Sequence, residues 1–344
     1  MANDVVTPAI DRVASGDDLS AQEAAAVLRE IMEGRVTEVQ TAAFLIALRT
    51  KGETVDEVAG LAATMRELAR RVDLDQPDVV DTAGTGGGAP SFNVSTTAAL
   101  LAAAAGATIA KHGNRSATGR CGSADVLEAL GARIDLEPSA IAECIADVGF
   151  GFMFAPMHHQ ATRYVVPVRR DLAVRTIFNL LGPLTNPAGA TRQVIGVSDP
   201  AYLETMAGAL ARLGSESALI VSAEDGLDEL SVSAPTRVVE LRNGRIESFT
   251  LTPEEAGLER VAADSLAQGA PDENAKLTRG VLSGEIDGVE RSLALLNAGA
   301  ALYVGGVAGS IAAGVAGARV AIDSGAAGDL LARYVAKTKD LAPA

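Results

Sequence analysis

The amino-terminal part of the chain has apolar residues at helical spacing, divided by polar residues that typically start helices. A Ser or Thr stands three residues before a Glu or Gln at positions 20–23, 37–40 and 54–57, each time ahead of an apolar run. This spacing is that of a capping box, in which two side chains satisfy the free N–H groups of a helix start. We therefore predict three capped helices, which are too few to bury all their apolar faces and must pack on something else.

From residue 78 the pattern changes to short apolar runs separated by glycine-rich and polar loops. Val79 and Val80 predict a strand, and loop 84–88 after it contains four glycines. Residues 95–97, Ser-Thr-Thr, supply N-cap chemistry to an Ala/Leu helix over 98–105. Strand, glycine loop and helix start together form an arrangement suited to an anion, because backbone N–H groups converge there and the helix dipole favours negative charge.

A second unit of the same kind follows directly. Residues 107–110 predict a strand, 111–115 (Lys-His-Gly-Asn-Arg) a polar loop, and 122–125 the start of a helix. Open α/β sheets bind ligands in loops at the carboxyl ends of their strands. Loop 84–88 matches the dinucleotide fingerprint only in its loosest form, and no Lys-Ser/Thr pair closes it as in a Walker loop. From the glycines alone, a tight turn without a ligand is the alternative.

The rest of the chain continues the alternation of strands and helices and then becomes helical. Helices are predicted at 140–148 and 202–213, and residues 274–337 are mostly helical. Strand patterns occur at 150–154, 193–197, 218–221, 229–232, 237–241 and 246–251. The last three alternate as in antiparallel strands, with Asn243 and Gly244 as a hairpin turn.

The motifs GTGG, FNVST, AKHGNR and GSADVLEALG within residues 84–131 resemble those of the anthranilate phosphoribosyltransferases, enzymes of tryptophan biosynthesis. The resemblance extends through most of the chain. It implies an α/β fold of the nucleoside-phosphorylase-like kind, with a small all-helical domain and a larger α/β domain around a central, mostly parallel sheet. The implied helical domain comprises residues 1–73 with 168–188, and the α/β domain comprises 74–167 with 189–344.

The resemblance also implies the reaction and its partners. The 5-phosphoribosyl group of phosphoribosyl pyrophosphate is transferred to the amine of anthranilate, with Mg²⁺ as cofactor and a homodimer formed through the helical domain. The residues implied for phosphoribosyl pyrophosphate are Gly84, Gly87, Gly88, Ser91, Asn93, Ser95, Thr96, Lys111, Thr118, Gly119 and Ser123. No side chain is implied as an acid or base, because the arylamine is neutral and loses its proton after attack.

Three residues correspond to contacts with anthranilate: Gly84, Asn114 and Arg169. An arginine fork fits a carboxylate with two parallel hydrogen bonds, which a lysine cannot copy. The residues implied for the metal are Ser95, Asp228 and Glu229. Hard oxygen ligands of this kind suit Mg²⁺ that bridges pyrophosphate oxygens.

The sequence departs from the family pattern in both loops. The family usually reads Gly-Thr-Gly-Gly-Asp-Gly, whereas here the Asp is absent and the loop is one residue shorter. Residues 118 and 119 are Thr-Gly where many relatives have Ser-Ser. The backbone cradle is retained, but the ribose or metal contact that the Asp makes is lost.

Composition and charge narrow the classes of function. A net charge of −15 argues against a nucleic-acid or anionic-membrane surface, and it also requires local cations at any polyphosphate site. With 3% aromatic residues, the core must be aliphatic. Cys121 and Cys144 have no metal-type spacing and fit a reduced, cytoplasmic setting. The start does not resemble a signal peptide, and no apolar run matches a membrane span.

Two other functions are weighed against this one. A pyrimidine nucleoside phosphorylase of the same fold has a similar glycine loop, but residues 111–115 and Arg169 speak against it. A nucleic-acid-binding protein on the same scaffold is disfavoured by the net charge and by the retained Asp228 and Glu229. The three histidines have no spacing that marks a catalytic base, so we expect them to be packed or hydrogen-bonded.

Overall fold

The computed structural model describes residues 3–75, 78–116, 119–262 and 269–342. The helices are α1 Val6–Ala14, α2 Ala21–Met32, α3 Glu38–Lys51, α4 Val55–Leu68, α5 Val94–Ala104, α6 Ser123–Ala129, α7 Pro138–Val148, α8 Ala155–His158, α9 Val166–Leu172, α10 Phe178–Leu184, α11 Leu203–Arg212, α12 Pro271–Ser283, α13 Val289–Val304, α14 Ile311–Asp323 and α15 Ala326–Asp340. The strands are β1 Val80–Gly84, β2 Ile109–Gly113, β3 Phe150–Phe154, β4 Arg192–Gly196, β5 Ser217–Ala223, β6 Thr236–Arg242 and β7 Arg245–Leu251.

The three predicted capping boxes are present at the starts of α2, α3 and α4. Ser20, Thr37 and Thr54 each accept the backbone N–H three residues further on. The structure adds α1, which has no capping box. The side chain of Asn3 accepts the N–H groups of Val5 and Val6 instead, both at 2.9 Å.

The seven strands form one sheet in the order β3-β2-β1-β4-β5-β6-β7. The first five are parallel, while β6 and β7 are antiparallel to their neighbours, so the predicted mostly parallel sheet is confirmed. The predicted hairpin is also present, with positive φ at Asn243 (51°) and Gly244 (76°). Such a two-residue turn matches the twist of the strands it joins.

The predicted strand at 229–232 is wrong. Leu230 donates its N–H to Asn297 Oδ1 and accepts from Asn297 Nδ2. A side chain of α13 therefore takes the place of a neighbouring strand. The buried alternate positions that suggested a strand, Leu230 and Val232, fill the core without pairing.

The sheet changes direction at β1. The chain continues from β1 to β2 on one side, whereas β4 lies on the other side with Gly84 opposite Gly196. Ligands of open α/β sheets bind at such a switch point, outside the carboxyl ends of the strands. The glycine loop after β1 thus starts at the edge of the sheet where a ligand is expected.

The core lies on both faces of the sheet. On one face α5 and the carboxyl-terminal helices are packed together, with residues such as Leu100 and Leu101 fully buried. On the other face, Ile195 and Ile220 of the sheet share a cluster with α1 to α4 and with Leu181 of α10. Among the helices that the structure describes, none has the length and apolar character needed to cross a membrane. The exact domain boundaries given above stay a prediction.

Candidate active site

The glycine loop is attached to the sheet at both of its strands. Gly84, predicted in the loop, is the last residue of β1. Thr85 donates its N–H to Gly196 O (2.8 Å), and its hydroxyl accepts the N–H of Ser198 (3.2 Å). Gly87 has a φ of +86°, a conformation that side chains rarely adopt. The base of the loop is therefore fixed to β4 while its tip makes a tight turn.

Arg175 and Asp228 contact the tip of this loop. Arg175 Nη1 donates to Gly86 O at 2.7 Å, and the carboxylate of Asp228 accepts the N–H of Gly86. A Cβ on Gly88 would lie 2.5 Å from Asp228 Oδ1 and 2.7 Å from Asp228 N. The loop thus packs against Asp228, a predicted metal ligand, and this close contact requires glycine at position 88.

The start of α5 differs from the prediction. The helix begins at Val94, so residues 95–97 lie in its first turn, and Asn93 at the N-cap makes no capping hydrogen bond. The side chain of Asn93 instead donates to Cys121 O (3.3 Å) and accepts from Asn274 Nδ2 (2.8 Å). The N–H groups of the first turn therefore have no side-chain cap. Ser91 precedes them, and its hydroxyl donates to Phe92 O.

Lys111 was predicted in a loop but lies in β2, where its side chain is 1% exposed. Its ammonium donates to the carbonyl and hydroxyl of Thr82 and to Ser95 Oγ, the last at 3.3 Å. Burial lowers the pKa of Lys111 to about 8, although Asp81 and Glu229 counteract that effect. The lysine therefore brings a buried positive charge next to the hydroxyl of Ser95.

Asp228 and Glu229 form a half-buried acidic pair after β5. Burial raises the pKa of both carboxyl groups, and for Glu229 the neighbouring Asp228 raises it further. Glu229 Oε2 is buried and has no hydrogen-bond partner in the described part of the protein. Two carboxylates whose charges are not fully compensated are suited to a divalent cation.

The second predicted loop leads into α6. Asn114 is exposed, and its Oδ1 accepts the N–H of Arg115 at 2.7 Å. Gly119 donates its N–H to Ser116 Oγ, also at 2.7 Å. Ser123 is the first residue of α6 and is half-buried beside the end of β2. Thr118 lies outside the described residues.

Arg169 lies on α9, with its guanidinium carbon 5.5 Å from the centre of the Phe178 ring. In the described ranges its side chain has no hydrogen-bonding or ion-pair partner, and burial lowers its pKa. A partly buried guanidinium without an anion is suited to receive a carboxylate.

The three histidines are buried, as expected of packed residues. The rings of His112 and His159 lie 5.1 Å apart, and His158 Nδ1 contacts Arg70 O at 2.7 Å. Burial lowers the pKa of all three, to about 4 for His159. They are therefore neutral near pH 7.

The glycine loop, Ser95, Lys111, Asp228 and Glu229 come from elements that are distant in the chain but lie together after the parallel strands. Among the described residues, no contact joins Arg169 to this group, since its side chain contacts Phe178. Asp81, Arg175 and Asn274 were not predicted as parts of this region. Asp81 is buried, accepts the N–H of His112 at 3.0 Å, and has its pKa raised by burial to about 6. In the sequence, Asp81 directly follows two valines, and this pattern predicts a strand but does not indicate a site residue.

Comparison with known proteins identifies the class of enzyme and then the family. Residues 76–328 match the family described as "Glycosyl transferase family, a/b domain", and residues 7–69 match "Glycosyl transferase family, helical bundle domain". The anthranilate phosphoribosyltransferase of Halorhodospira halophila is 51% identical over 98% of this chain and 99% of its own. That of Rubrobacter xylanophilus is 52% identical over 97% of this chain and 98% of its own.

Two solved structures show the same similarity. Anthranilate phosphoribosyltransferase from Thermus thermophilus superposes with a TM-score of 0.91 at 47% identity, covering 96% of this chain and 99% of that one. The enzyme from Saccharomyces cerevisiae in complex with PRPP and Mg gives 0.89 at 28% identity, covering 99% of both. The chain is thus a glycosyltransferase built from a helical bundle and an α/β domain. It belongs to the anthranilate phosphoribosyltransferase family.

Proposed function

We propose that this protein transfers the 5-phosphoribosyl group of phosphoribosyl pyrophosphate to the amine of anthranilate, giving N-(5-phosphoribosyl)anthranilate and pyrophosphate. The observation that carries the proposal is the convergence of three features at the switch point of the sheet. These are the glycine loop after β1, the start of α5 without a side-chain cap, and the group of Ser95, Lys111 and Glu229. Together they supply N–H donors, a cation and metal ligands for a polyanion.

Phosphoribosyl pyrophosphate is assigned to the two loops and the helix starts beside them. Lys111 places a positive charge beside Ser95, and the first turn of α5 offers N–H groups and the dipole that favours phosphate. Gly87 and Gly88 lack the Cβ that would collide with Arg175 and Asp228, so the loop backbone can pack closely against both residues. Positioning and charge stabilisation account for most of the catalysis in such a site. Further polar groups around it come from Ser91, Asn93, Thr96, Gly119 and Ser123.

Mg²⁺ is assigned to Asp228, Glu229 and Ser95. Among the described residues, no group of three or more His, Cys, Asp or Glu side chains is arranged to hold a metal. Mg²⁺ usually binds through one or two carboxylates together with substrate phosphates and water, so a pair with an unpartnered Glu229 oxygen fits it. When bound, the ion neutralises charge on the pyrophosphate leaving group.

Anthranilate is assigned to Arg169, Asn114 and Gly84. The guanidinium of Arg169 binds the carboxylate and thereby orients the amine towards C1 of the ribose. No side chain is needed as a strong base, since the neutral amine attacks first and releases its proton afterwards. The site therefore works mainly by holding two substrates in one orientation while excluding water.

The proposed activity is tested by incubating the protein with anthranilate, phosphoribosyl pyrophosphate and Mg²⁺. The expected result is a loss of anthranilate fluorescence that requires all three additions, with the product confirmed by mass. A parallel incubation with uridine or thymidine and phosphate tests the nucleoside phosphorylase alternative. Filter binding of DNA tests the nucleic-acid alternative. Activity in either parallel test without phosphoribosyl transfer would contradict the proposal.

Replacing Gly88 by Ala is expected to weaken the binding of phosphoribosyl pyrophosphate about tenfold or more. The added methyl group collides with the backbone and carboxylate of Asp228, and overpacking of this kind typically costs about 1–3 kcal/mol. Calorimetry in the presence of Mg²⁺ measures the effect. Gly309→Ala is the control, because a Cβ there meets no atom within 4 Å. Unchanged affinity of the Gly88 variant would show that the loop does not cradle the ligand.

The homodimer is assigned to the helical part, for which we also propose the boundaries 1–73 and 168–188. Large apolar residues are exposed on α3 (Val39, 79%), on α9 (Val166, 54%) and in the connection after it (Val174, 45%). The helix α3 contacts both α1 and α9, so Val39 and Val166 lie on neighbouring helices. An exposed apolar patch is typical of a protein interface. The cytoplasmic setting stays a prediction, supported by two free, buried cysteines.

Light scattering at micromolar concentration is expected to give about twice the chain mass of 35.0 kDa. Val39→Glu combined with Val166→Glu should shift the mass to that of one chain, because two buried charges oppose association. Phe249→Glu, on the exposed edge strand β7, should leave the dimer intact. A wild-type monomer, or dissociation only in the Phe249 variant, would contradict this interface.

A further inference from the structure

Arg175 lies in the connection between α9 and α10 and contacts two successive carbonyl groups of the glycine loop. Its Nη1 donates to Gly86 O at 2.7 Å, and its Nη2 donates to Thr85 O at 3.4 Å. A guanidinium carries its donors in a fixed planar fork, so these contacts restrain the direction of both carbonyls. Arg175 also lowers the pKa of Asp228 by its charge, although burial of Asp228 has the larger and opposite effect.

The direction of these carbonyls decides where the loop N–H groups point. In a trans peptide the C=O and N–H groups point in opposite directions, and no described peptide bond is cis. The carbonyl of Thr85 shares a peptide unit with the N–H of Gly86, and the carbonyl of Gly86 shares one with the N–H of Gly87. Arg175 on one side of the loop therefore turns both N–H groups to the other side.

The face of the loop opposite Arg175 already holds an anionic group. The carboxylate of Asp228 accepts the N–H of Gly86 there. Two successive N–H groups that point to one side form a concave site for an anion. Arg175 thus creates the N–H face of the loop without itself lying on that face.

Gly87 is shaped to admit the arginine. Its φ of +86° favours glycine, and a Cβ at this position would lie 2.0 Å from Arg175 Nη1. The segment that carries Arg175 is itself anchored, because Thr176 donates its N–H to Asn179 Oδ1 at 3.0 Å and Ile177 is buried among the helices. The backbone that carries Arg175 is therefore fixed by a well-packed segment.

A cavity of about 160 Å³ borders the guanidinium on this side. Its lining includes Arg49, Glu53, Asn179 and Tyr202, together with Arg175 and Thr85. Space of this size next to the side chain means that a small planar cation could enter if the arginine side chain were shortened.

We propose that Arg175 is a positioning residue for phosphoribosyl pyrophosphate: it orients the two peptide units between Thr85 and Gly87 so that the N–H of Gly86 holds the carboxylate of Asp228 and the N–H of Gly87 faces the pyrophosphate. This inference rests on the proposed function for the identity of the ligand. It concerns a residue that does not touch the substrate and that acts only through the loop backbone.

The test compares Arg175→Met, Arg175→Lys and the control Arg170→Met. Arg170 is exposed on α9 and pairs only with the neighbouring Asp171 among the described residues. Loss of charged hydrogen bonds is expected to raise the KM for phosphoribosyl pyrophosphate roughly ten- to a hundredfold in Arg175→Met, with the KM for anthranilate changed less than about twofold. The lysine variant should be intermediate, because one ammonium cannot reproduce the fork. Arg170→Met should match wild type.

Calorimetry with magnesium pyrophosphate as the probe measures the same effect without the transfer reaction. The dissociation constant should rise in Arg175→Met by a similar factor. In Arg175→Ala, tens of millimolar guanidinium chloride should restore part of the affinity, whereas equal sodium chloride or urea should not. Such rescue requires a specific place for the cation and would not follow from a general loss of folding.

Unchanged affinity for magnesium pyrophosphate in a folded Arg175→Met variant would overturn the inference. Equal increases in both KM values without rescue by guanidinium would also overturn it, because they indicate a general distortion. If the wild-type protein binds magnesium pyrophosphate but transfers nothing to anthranilate, the proposed function fails, and calorimetry still decides the role of Arg175.

Discussion

Replacing Asp228 by Asn together with Glu229 by Gln is expected to lower kcat by about 10²–10³-fold. The change keeps the shape of both side chains and removes two negative charges. Without them the protein loses the oxygen ligands for the cation that offsets charge on the departing pyrophosphate. The Mg²⁺ concentration for half-maximal rate should rise at the same time, because the remaining neutral oxygens bind the ion weakly.

The same variant is expected to fold at least as stably as the wild type. Burial raises the pKa of both carboxyl groups, and the charge of Asp228 raises the pKa of Glu229 further, so their ionised forms destabilise the folded protein at pH 7 and above. Removing the charges should therefore leave the Tm unchanged or raise it at pH 7–8, with less effect as the pH falls and the carboxyl groups take up protons. A variant that is stable but inactive is expected when the replaced residues serve function at a cost in stability.

Steady-state rates over a range of Mg²⁺ concentrations and thermal unfolding measure these effects. Glu224→Gln is the control, since that carboxylate is exposed on the same connection. If the double variant kept the wild-type kcat and Mg²⁺ dependence, Asp228 and Glu229 would not hold the metal, and Ser95 alone would remain as a proposed ligand.

Arg169→Ala is expected to raise the KM for anthranilate roughly ten- to a hundredfold and to change the KM for phosphoribosyl pyrophosphate little. The loss of a charged bidentate partner typically costs about 1.5–3 kcal/mol. The guanidinium lies over the Phe178 ring and makes no hydrogen bond within the described residues, so its removal should disturb the fold slightly. Arg169→Lys should recover a minor part of the affinity, because an ammonium lacks the planar fork.

Initial rates with each substrate varied in turn separate the two KM values. Arg170→Ala is the matched control on the adjacent, exposed position of α9. Equal increases in both KM values, or no change in either, would show that Arg169 is not the carboxylate receptor.

Local signals predicted much of the fold. The capping boxes at Ser20, Thr37 and Thr54 involve side chains and N–H groups three residues apart, so sequence alone contains both partners. The turn at Asn243 and Gly244 likewise needs only the two residues that adopt positive φ. The motifs shared with a known family then supplied the mostly parallel sheet and the candidate site, which no local pattern contains.

Predictions failed where a distant residue competed for a local role. Residues 95–97 were predicted to cap α5, but the helix already begins at Val94. Asn93, at the N-cap, is bonded to Cys121, 28 residues away, and to Asn274, 181 residues away, and makes no cap. Residues 229–232 alternate like a strand, but Asn297 takes the hydrogen bonds of Leu230. Tertiary packing determines these hydrogen-bond partners, and a short segment of sequence does not contain both of them.

The same limit applies to the charged residues of the site. Lys111 looked like a loop cation because a glycine and polar residues follow it, yet its ammonium is buried beside Thr82 and Ser95. Arg175 precedes a helix start and resembles an ordinary surface cation until its contacts with the carbonyls of the glycine loop are seen. The roles of Lys111 and Arg175 depend on how deeply their side chains are buried and on where these side chains point. Both properties are seen only in the folded structure.

The most direct test of the central claim is a crystal structure of the protein soaked with phosphoribosyl pyrophosphate and Mg²⁺. We predict pyrophosphate against the N–H groups of loop 84–88 and the start of α5, with Lys111 within reach of a phosphate oxygen. We predict Mg²⁺ bound between the pyrophosphate and the oxygens of Asp228, Glu229 and Ser95. Pyrophosphate bound elsewhere, or a metal ion that contacts neither carboxylate, would contradict the account.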